Sequence, residues 1–196
     1  TSFTIDPKVF FFINDHTTLM VGNSFSKGNM TGGDMDVIDG HADGYHTYFE
    51  KNRTLRNTTT LSFDHTLASG NRLRLRQSLA LFDRRISIPD YVFSGFSTNA
   101  YTDASYTAFR GNHTLISGLN VVYDDFDQRY FDTQDSQSFT VGGYVQHTWD
   151  VSPTVKLENG LRIDHAALNA ELLSDRQFFV LPRISALFRF SNQWSS

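Results

Sequence analysis

The chain of 196 residues contains no cysteine. This absence excludes a disulfide scaffold, a thiolate zinc site and a cysteine nucleophile. Basic residues are also scarce: 17 lysines and arginines stand against 21 aspartates and glutamates, and the net charge is −4. A general nucleic-acid binder needs a basic excess to displace counterions from phosphates, so we expect no nucleic-acid partner.

Long apolar runs are missing as well. No run approaches the roughly 18 residues that a membrane-spanning helix requires. A signal peptide is not found either, because the opening stretch "TSFTIDPKVF" already alternates apolar and polar residues. We therefore expect the first residue to be a cut inside a longer chain.

Catalytic motifs are the third absence. The sequence contains neither G-x-S-x-G nor a glycine-rich loop that could hold a phosphate. Acidic residues such as Glu158 and Asp164 share a predicted strand face with arginine, where an ion-pair network is a simpler interpretation than acid–base catalysis. The sequence therefore predicts a protein that is not an enzyme, and it implies no cofactor.

Aromatic residues, by contrast, are abundant, with 18 Phe and 8 Tyr, as strands favour. The stretch "RLRLRQSLAL" (72–81) shows how the strands are patterned. Alternate residues of a strand share a face, so Arg72, Arg74 and Arg76 lie on one side. The other side carries the apolar members of the stretch: Leu73, Leu75, Leu79 and Leu81. The segment is therefore a strand between water and an apolar surrounding, which is either a protein core or lipid.

The same period of two recurs along the whole chain and predicts about nine strands, with no competing helical period. They are expected at 3–13, 17–28, 46–66, 71–88, 100–111, 114–125, 137–149, 154–167 and 178–190. The last two show the alternation most clearly. The strand at 100–111 is the weakest, because its small and polar residues fit either register.

The connections alternate between short and long. Short turns are predicted at 14–16, 69–71, 111–113 and 151–153, and long loops at 28–46, 84–101, 124–137 and 167–177. An up-and-down sheet then has all its short turns at one end, as outer-membrane barrels do. We expect an all-β fold, an antiparallel up-and-down meander that forms an open segment of a large transmembrane β-barrel.

The charges on the polar side of the predicted sheet indicate whether the barrel is narrow or wide. Its basic residues are Arg72, Arg74, Arg76, Lys156, Arg162, Arg183 and Arg189. A small barrel fills its interior with side chains and has no room for so many charges, whereas a wide lumen accommodates them. The leucines are therefore expected to face lipid and the arginines the lumen. A soluble β-rich ligand-binding module remains the alternative from another class.

Two C-terminal motifs add a resemblance. The stretch "LENGLRIDH" (157–165) followed by "FVLPRISALFRFSNQWSS" (179–196) resembles the barrel domain of TonB-dependent outer-membrane receptors. The stretch "GGDMDVIDGHADGYHTYFEKNRT" (32–54) is similar to a subgroup that carries a carboxypeptidase-regulatory-like domain ahead of its plug.

The resemblance implies a bacterial outer-membrane barrel of 22 strands with an N-terminal plug inside it. It also implies a periplasmic TonB box and active uptake of a scarce nutrient: siderophore-iron, haem, cobalamin or a glycan. Residues 1–196 are then a partial barrel domain without the plug, the TonB box and the remaining strands. Its partners are the plug of the same parent chain, which the lumen arginines face, the TonB complex, outer-membrane lipid, and a small-molecule or metal-chelate ligand. A plain porin-like barrel is the alternative among membrane proteins.

Ligand contacts are expected in the outer loops, at 29–45, 89–99 and 127–136. The candidate residues are Tyr91, Phe93, Phe96, Asp39 and His41. Aromatic walls with a few polar groups are typical of ligand sites. Asp34 and Asp36 begin a calcium-loop pattern, but the closing glutamate is missing, so no metal site is predicted.

The ends of the predicted sheet are expected to remain open. About nine strands would leave a barrel of odd count, and such a narrow closed barrel would bury its arginines and lysines without partners. The strands at 3–13 and 178–190 are therefore predicted to be edges that pair with neighbours outside this chain. We expect the isolated polypeptide to aggregate, or to fold only poorly in detergent.

Overall fold

The computed structural model describes residues 1–41, 43–130, 135–170 and 173–189, except the side chain of Leu173. The strands are β1 (Ser2–Ile5), β2 (Lys8–Asn14), β3 (Thr17–Gly33), β4 (Phe49–Thr66), β5 (Arg72–Ile88), β6 (Tyr91–Arg110), β7 (His113–Gln128), β8 (Ser136–Ser152), β9 (Val155–Ala170) and β10 (Leu173–Phe188). One short helix, α1 (Met35–Ile38), lies between β3 and β4. No helix in the described part of the chain is long and apolar enough to span a membrane.

The strands form one antiparallel sheet in which each strand from β3 onward pairs with the next. The predicted first strand at 3–13 is instead two strands, β1 and β2, and both pair with β3. The break falls at Asp6 and Pro7, because proline has no N–H to donate to the ladder. The prediction of an all-β up-and-down meander is confirmed, with ten strands rather than nine.

The sheet does not close on itself. β1 and β2 form one edge, and β10 forms the other, with no strand beyond them in the described sheet. The predicted open segment is therefore confirmed. The predicted last strand ran to residue 190, which lies outside the described residues; β10 ends at Phe188, and Arg189 adds one backbone hydrogen bond to Thr154 of 2.8 Å.

The two sides of the sheet differ in chemistry, as the alternation predicted. Residues directly opposite each other in an antiparallel ladder lie on the same side. Leu75 lies opposite Phe63 and Ala104, whereas Arg74 lies opposite Asp64 and Ser105. We call the side that carries Leu75 the apolar face and the side that carries Arg74 the polar face. Following the ladders, Leu161 and Ile184 lie on the apolar face, and Arg162 and Arg183 on the polar face.

No described residue covers the apolar face. None of the described hydrophobic residues is buried, and the accessible surface is 13535 Å². A compact monomer of this length exposes only about 9,400 Å². A soluble sandwich would bury one face of each sheet in a core, so the soluble-module alternative is not supported.

On the apolar face, apolar residues occupy only part of the length of β5 and of β7. In β5 they run from Leu73 to Leu81 and are followed by Asp83 and Arg85. In β7 they run from Leu115 to Tyr123 and are then followed by aspartates. A transmembrane strand needs about 9–11 residues, which is the length of both segments. We call this zone the apolar band.

The short turns lie where they were predicted, between β2 and β3, β4 and β5, β6 and β7, and β8 and β9. We call this end of the sheet the turn end and the opposite one the loop end. At the loop end, two predictions of long loops are wrong. Residues 84–101 form a tight hairpin, since β5 ends at Ile88 and β6 begins at Tyr91. Residues 167–177 are also mostly strand, because β9 continues to Ala170 and β10 begins at Leu173.

Candidate functional site

Ion pairs organise part of the polar face. The Arg74 Nε atom lies 2.6 Å from the Asp64 Oδ1 atom on the neighbouring strand. The Arg183 Nη2 atom lies 3.7 Å from the Glu158 Oε2 atom. Both pairs are partly exposed and contribute little stability each. The predicted ion-pair network is thus present, and it leaves these carboxylates engaged with arginine.

A tighter group surrounds Arg162. Its Nε atom donates to Asp164 at 2.7 Å, and its Nη2 atom donates to the Asn120 side-chain oxygen at 3.1 Å. The Asp164 side chain is only 12% exposed. Gly142 lies between Asn120 and Asp164 in the ladder, and a Cβ atom there would collide with the Asp164 carboxylate. The absence of a side chain at Gly142 therefore makes room for this hydrogen-bonded group.

The remaining predicted lumen arginines have no carboxylate partner among the described residues. The Arg72 guanidinium lies over the Phe109 ring, 5.4 Å from its centroid. Arg76 lies opposite Asp103, whose carboxylate accepts a hydrogen bond from the Tyr144 hydroxyl at 3.0 Å. With Arg189 at the turn end of β10, these residues leave positive charge on the polar face.

Aromatic residues gather on the polar face at the loop end. Phe93 of β6 and Phe126 of β7 stack with ring centroids 6.4 Å apart and an interplanar angle of 15°. Gly95 permits this contact, because a Cβ atom there would lie 2.7 Å from the Phe126 ring. Phe82 of β5 lies on the same side, with the Arg56 guanidinium 4.5 Å from its ring centroid.

We call Phe82, Phe93, Phe126, Arg56 and Arg84 the aromatic ledge. Arg84 donates to the Asn52 side-chain oxygen at 3.3 Å. Neither Arg56 nor Arg84 forms an ion pair within the described chain, so the ledge combines aromatic surface with two positive charges. Such a surface suits a ligand that is both flat or apolar and anionic.

The structure brings only part of the predicted aromatic ligand site together. Tyr91, Phe93 and Phe96 lie on β6 rather than in a loop. Tyr91 and Phe93 are on the polar face, opposite Ile88 and Ile86. Phe96 is on the apolar face, where the Arg129 guanidinium lies 5.9 Å from its ring centroid. Phe126 of β7 takes the place beside Phe93 that was expected for Phe96.

Asp39 and His41 lie in the connection between β3 and β4, as predicted, and both are exposed. Asp39 is the C-terminal cap of α1, and its backbone N–H donates to the Met35 carbonyl oxygen at 2.9 Å. The His41 backbone N–H donates to the Asp36 carbonyl oxygen at 2.6 Å. The two side chains do not form a common site with the aromatic ledge.

The acidic residues of this connection gather around His46 instead. Its ring nitrogens lie 4.0 Å from the Asp34 carboxylate, 3.6 Å from that of Asp36 and 3.2 Å from that of Asp43. The side chains of Asp34, Asp36 and His46 are close enough to share a cation. The backbone N–H groups of Tyr45 and His46 donate to Asp43 and hold the pKa of its carboxyl below the ordinary value.

By sequence, the chain matches no protein-family profile and no curated protein. By structure, it resembles the pyoverdine outer-membrane receptor FpvA from Pseudomonas aeruginosa PAO1, with a TM-score of 0.80 and 13% identity over 97% of this chain and 37% of that one. It also resembles the alcaligin outer-membrane receptor FauA from Bordetella pertussis, with a TM-score of 0.74 and 12% identity over 97% of this chain and 33% of that one. The ferric yersiniabactin uptake receptor FyuA from Yersinia pestis gives a TM-score of 0.61 at 12% identity, over 99% of this chain and 36% of that one.

The chain has the fold of the barrel wall of TonB-dependent outer-membrane receptors. The expectation of an outer-membrane barrel fold is therefore confirmed. The chain spans about a third of each of these receptors. The similarity in sequence is low, so it is the path of the strands that these proteins share.

Proposed function

We propose that residues 1–196 are a wall segment of a TonB-dependent receptor in the bacterial outer membrane, which takes up a scarce nutrient as a metal chelate of the siderophore class. The segment is a partial barrel domain of a longer parent protein. The partners proposed for that parent are its own plug domain, the TonB complex and outer-membrane lipid.

The apolar band and the polar face support the membrane placement. The band has the height of a transmembrane strand, and no protein core covers it. The opposite face carries ion pairs and arginines without a carboxylate partner, which suits a lumen filled by a hydrated plug. The transport receptors with this fold give no indication of catalysis.

The single observation that favours a chelate ligand is the aromatic ledge. It lies on the polar face at the loop end, where a solute entering from outside would first meet the lumen wall. Phe93 and Phe126 offer stacked rings, and Arg56 and Arg84 offer positive charge without a carboxylate partner. An anionic chelate with flat or apolar groups would use both features.

The test compares two sets of phenylalanines in the full-length parent protein. The variant F93A/F126A removes the stacked pair from the polar face, and F96A removes a ring from the apolar face of the same strand. Binding of ferric hydroxamate and catecholate siderophores, haem and cobalamin is measured by fluorescence quenching. We expect F93A/F126A to weaken binding of a ferric siderophore by about tenfold or more, and F96A to leave it unchanged.

Uptake in cells completes this test. We expect accumulation of the bound ligand to require a functional TonB complex. Equal accumulation without TonB would favour the porin-like barrel. Unchanged affinity in folded F93A/F126A would remove the aromatic ledge from the ligand site.

A further inference from the structure

Two arginines lie directly opposite each other on the apolar face at the loop end. Arg53 of β4 pairs with Arg85 of β5, and in the adjacent row Lys51 pairs with Ser87. These four side chains line one cleft, which we call the basic cleft. Arg53, Arg85 and Lys51 are all exposed.

The positive charges of the basic cleft are not compensated within the described chain. Neither arginine forms an ion pair or a side-chain hydrogen bond with the described residues, and the Lys51 Nζ atom lies 5.2 Å from the centroid of the Phe49 ring. Like charges directly opposite each other in a sheet are destabilising. Some anion outside the chain would relieve this repulsion.

The nearest carboxylate on the same face is already occupied. Asp83 lies one row closer to the apolar band, and the Arg129 Nη2 atom is 2.7 Å from its Oδ2 atom. Along β3, β4 and β5, Asp83 is the only acidic residue on the apolar face. Lys27 of β3 adds a further positive charge to this face, opposite Leu55. The part of the apolar face that β3, β4 and β5 form around the cleft is therefore basic.

The height of the cleft relative to the apolar band indicates the kind of anion. Arg53 lies two residues beyond Leu55, and Arg85 lies four residues beyond Leu81, the last apolar residue of β5 on this face. At about 3.3 Å per residue, these separations are about 7 and 13 Å along the tilted strands. This is the level at which lipid headgroups border the hydrocarbon core.

We propose that the basic cleft binds the phosphate group of an anionic lipid in the outer leaflet. Guanidinium groups bind phosphate through paired N–H donors, and two opposed arginines offer two such pairs to one phosphate. Because the cleft faces the same way as the apolar band, the acyl chains of that lipid lie against the band while its phosphate is bound. The proposal rests on the membrane placement and is independent of the nutrient that the parent protein carries.

The experiment uses the full-length parent protein in detergent and diphosphoryl lipid A as the probe, with binding followed by native mass spectrometry. The variant R53Q/R85Q removes the opposed pair. The variant R56Q/R84Q is the matched control, since it removes two arginines from the same strands on the polar face. We expect R53Q/R85Q to weaken lipid A binding by about tenfold or more and R56Q/R84Q to bind as the wild type does.

The outcomes separate the possible sources of the anion. We expect millimolar inorganic phosphate not to displace the lipid, and a glycolipid without phosphate to bind poorly. Displacement by inorganic phosphate alone would assign the cleft to a soluble anion and overturn the lipid proposal. Equal binding by R53Q/R85Q and the wild type would overturn it too, provided that circular dichroism shows the variant folded. Either result leaves the siderophore test unaffected, because that test measures another ligand on the other face.

Discussion

Leu161 and Arg162 are adjacent on β9, yet they are held in place by different physics. Leu161 is 41% exposed on the apolar face and lies opposite Val145 and Pro182. Arg162 donates hydrogen bonds to Asp164 and Asn120 on the polar face. Transfer of apolar surface into lipid has no preferred direction, whereas hydrogen bonds need partners at fixed positions. The apolar face should therefore tolerate changes of shape but not added charge. The polar face should tolerate neither the loss of a hydrogen-bond partner nor a side chain added between the partners.

The largest expected effect comes from placing charge on the apolar face. The variant L161R puts a guanidinium near the middle of the apolar band and should lower the free energy of unfolding by about 2–4 kcal/mol. L161F, which keeps the face apolar, should be close to neutral. The measurement is urea unfolding of the parent protein reconstituted in lipid vesicles.

Glutamine at Arg162 is the corresponding change on the polar face. It removes the donors to Asp164 and Asn120, and the cost is the desolvation of partners left without a hydrogen bond, about 1–3 kcal/mol. Because Arg162 is partly exposed, water can replace some of the hydrogen bonds that Asp164 and Asn120 lose. A larger cost for L161F than for L161R would mean that Leu161 does not lie against an apolar surrounding.

The two faces could be predicted from the sequence because period two survives wherever one side of a strand is apolar and the other is polar. Leu73 and Leu75 alternate with Arg72 and Arg74 over the height of the apolar band, and the structure keeps that register. Beyond the band both sides of a strand carry polar residues, so the alternation weakens. The residues from Ser94 to Ser97 carry no such pattern, and they were interpreted as a loop although they belong to β6.

The hairpin between β5 and β6 shows a second limit. Pro89 and Asp90 are typical loop residues, but here they form only the tight turn, with Asp90 in the left-handed region at a φ of 60°. A proline in a sequence marks a turn without giving its length. The same applies to the break at Pro7, which divides one predicted strand into two.

The composition of the candidate site depends on the register in which neighbouring strands pair, and this register cannot be read from the sequence. Phe93 and Phe126 meet because the ladder pairs Gly95 with Gln128. Residue spacing alone placed Phe93 with Phe96, although an odd separation in a strand puts two side chains on opposite faces. Once β6 is recognised as a strand, that parity excludes Phe96 from the polar face.

Two adjacent glycines of β8 offer a second comparison of the two faces, with a smaller expected effect on stability. Gly142 lies on the polar face, where a Cβ atom would collide with the Asp164 carboxylate. Gly143 lies on the apolar face, where the nearest atom to a Cβ would be the Leu119 Cδ2 atom at 3.4 Å. We expect G142A to cost about 1–3 kcal/mol through overpacking.

G143A should be neutral or stabilising by up to about 1 kcal/mol, because alanine restricts the unfolded chain. Urea unfolding in vesicles measures both variants. The double variant G142A/D164N should cost less than the sum of the costs of G142A and D164N, because both changes affect the same side-chain contact. Equal costs for G142A and G143A would show that packing does not distinguish the two faces.

The smallest expected effect lies outside both faces, in the connection between β3 and β4. The N–H groups of Tyr45 and His46 donate to Asp43 at 2.7 and 2.8 Å and lower the pKa of its carboxyl from 3.8. The contribution of this carboxylate to the order of the turn is therefore complete above the ordinary pKa and is lost as the pH falls through the lowered one. Hydrogen exchange of the segment should be roughly twofold slower in the wild type than in D43A at about pH 5, and the two rates should converge as the pH falls below the lowered pKa of Asp43. D43N keeps an acceptor oxygen without charge, so its protection should not change with pH over this range. If the ratio of the exchange rates of D43A and the wild type does not change with pH, the charge on Asp43 does not stabilise the turn.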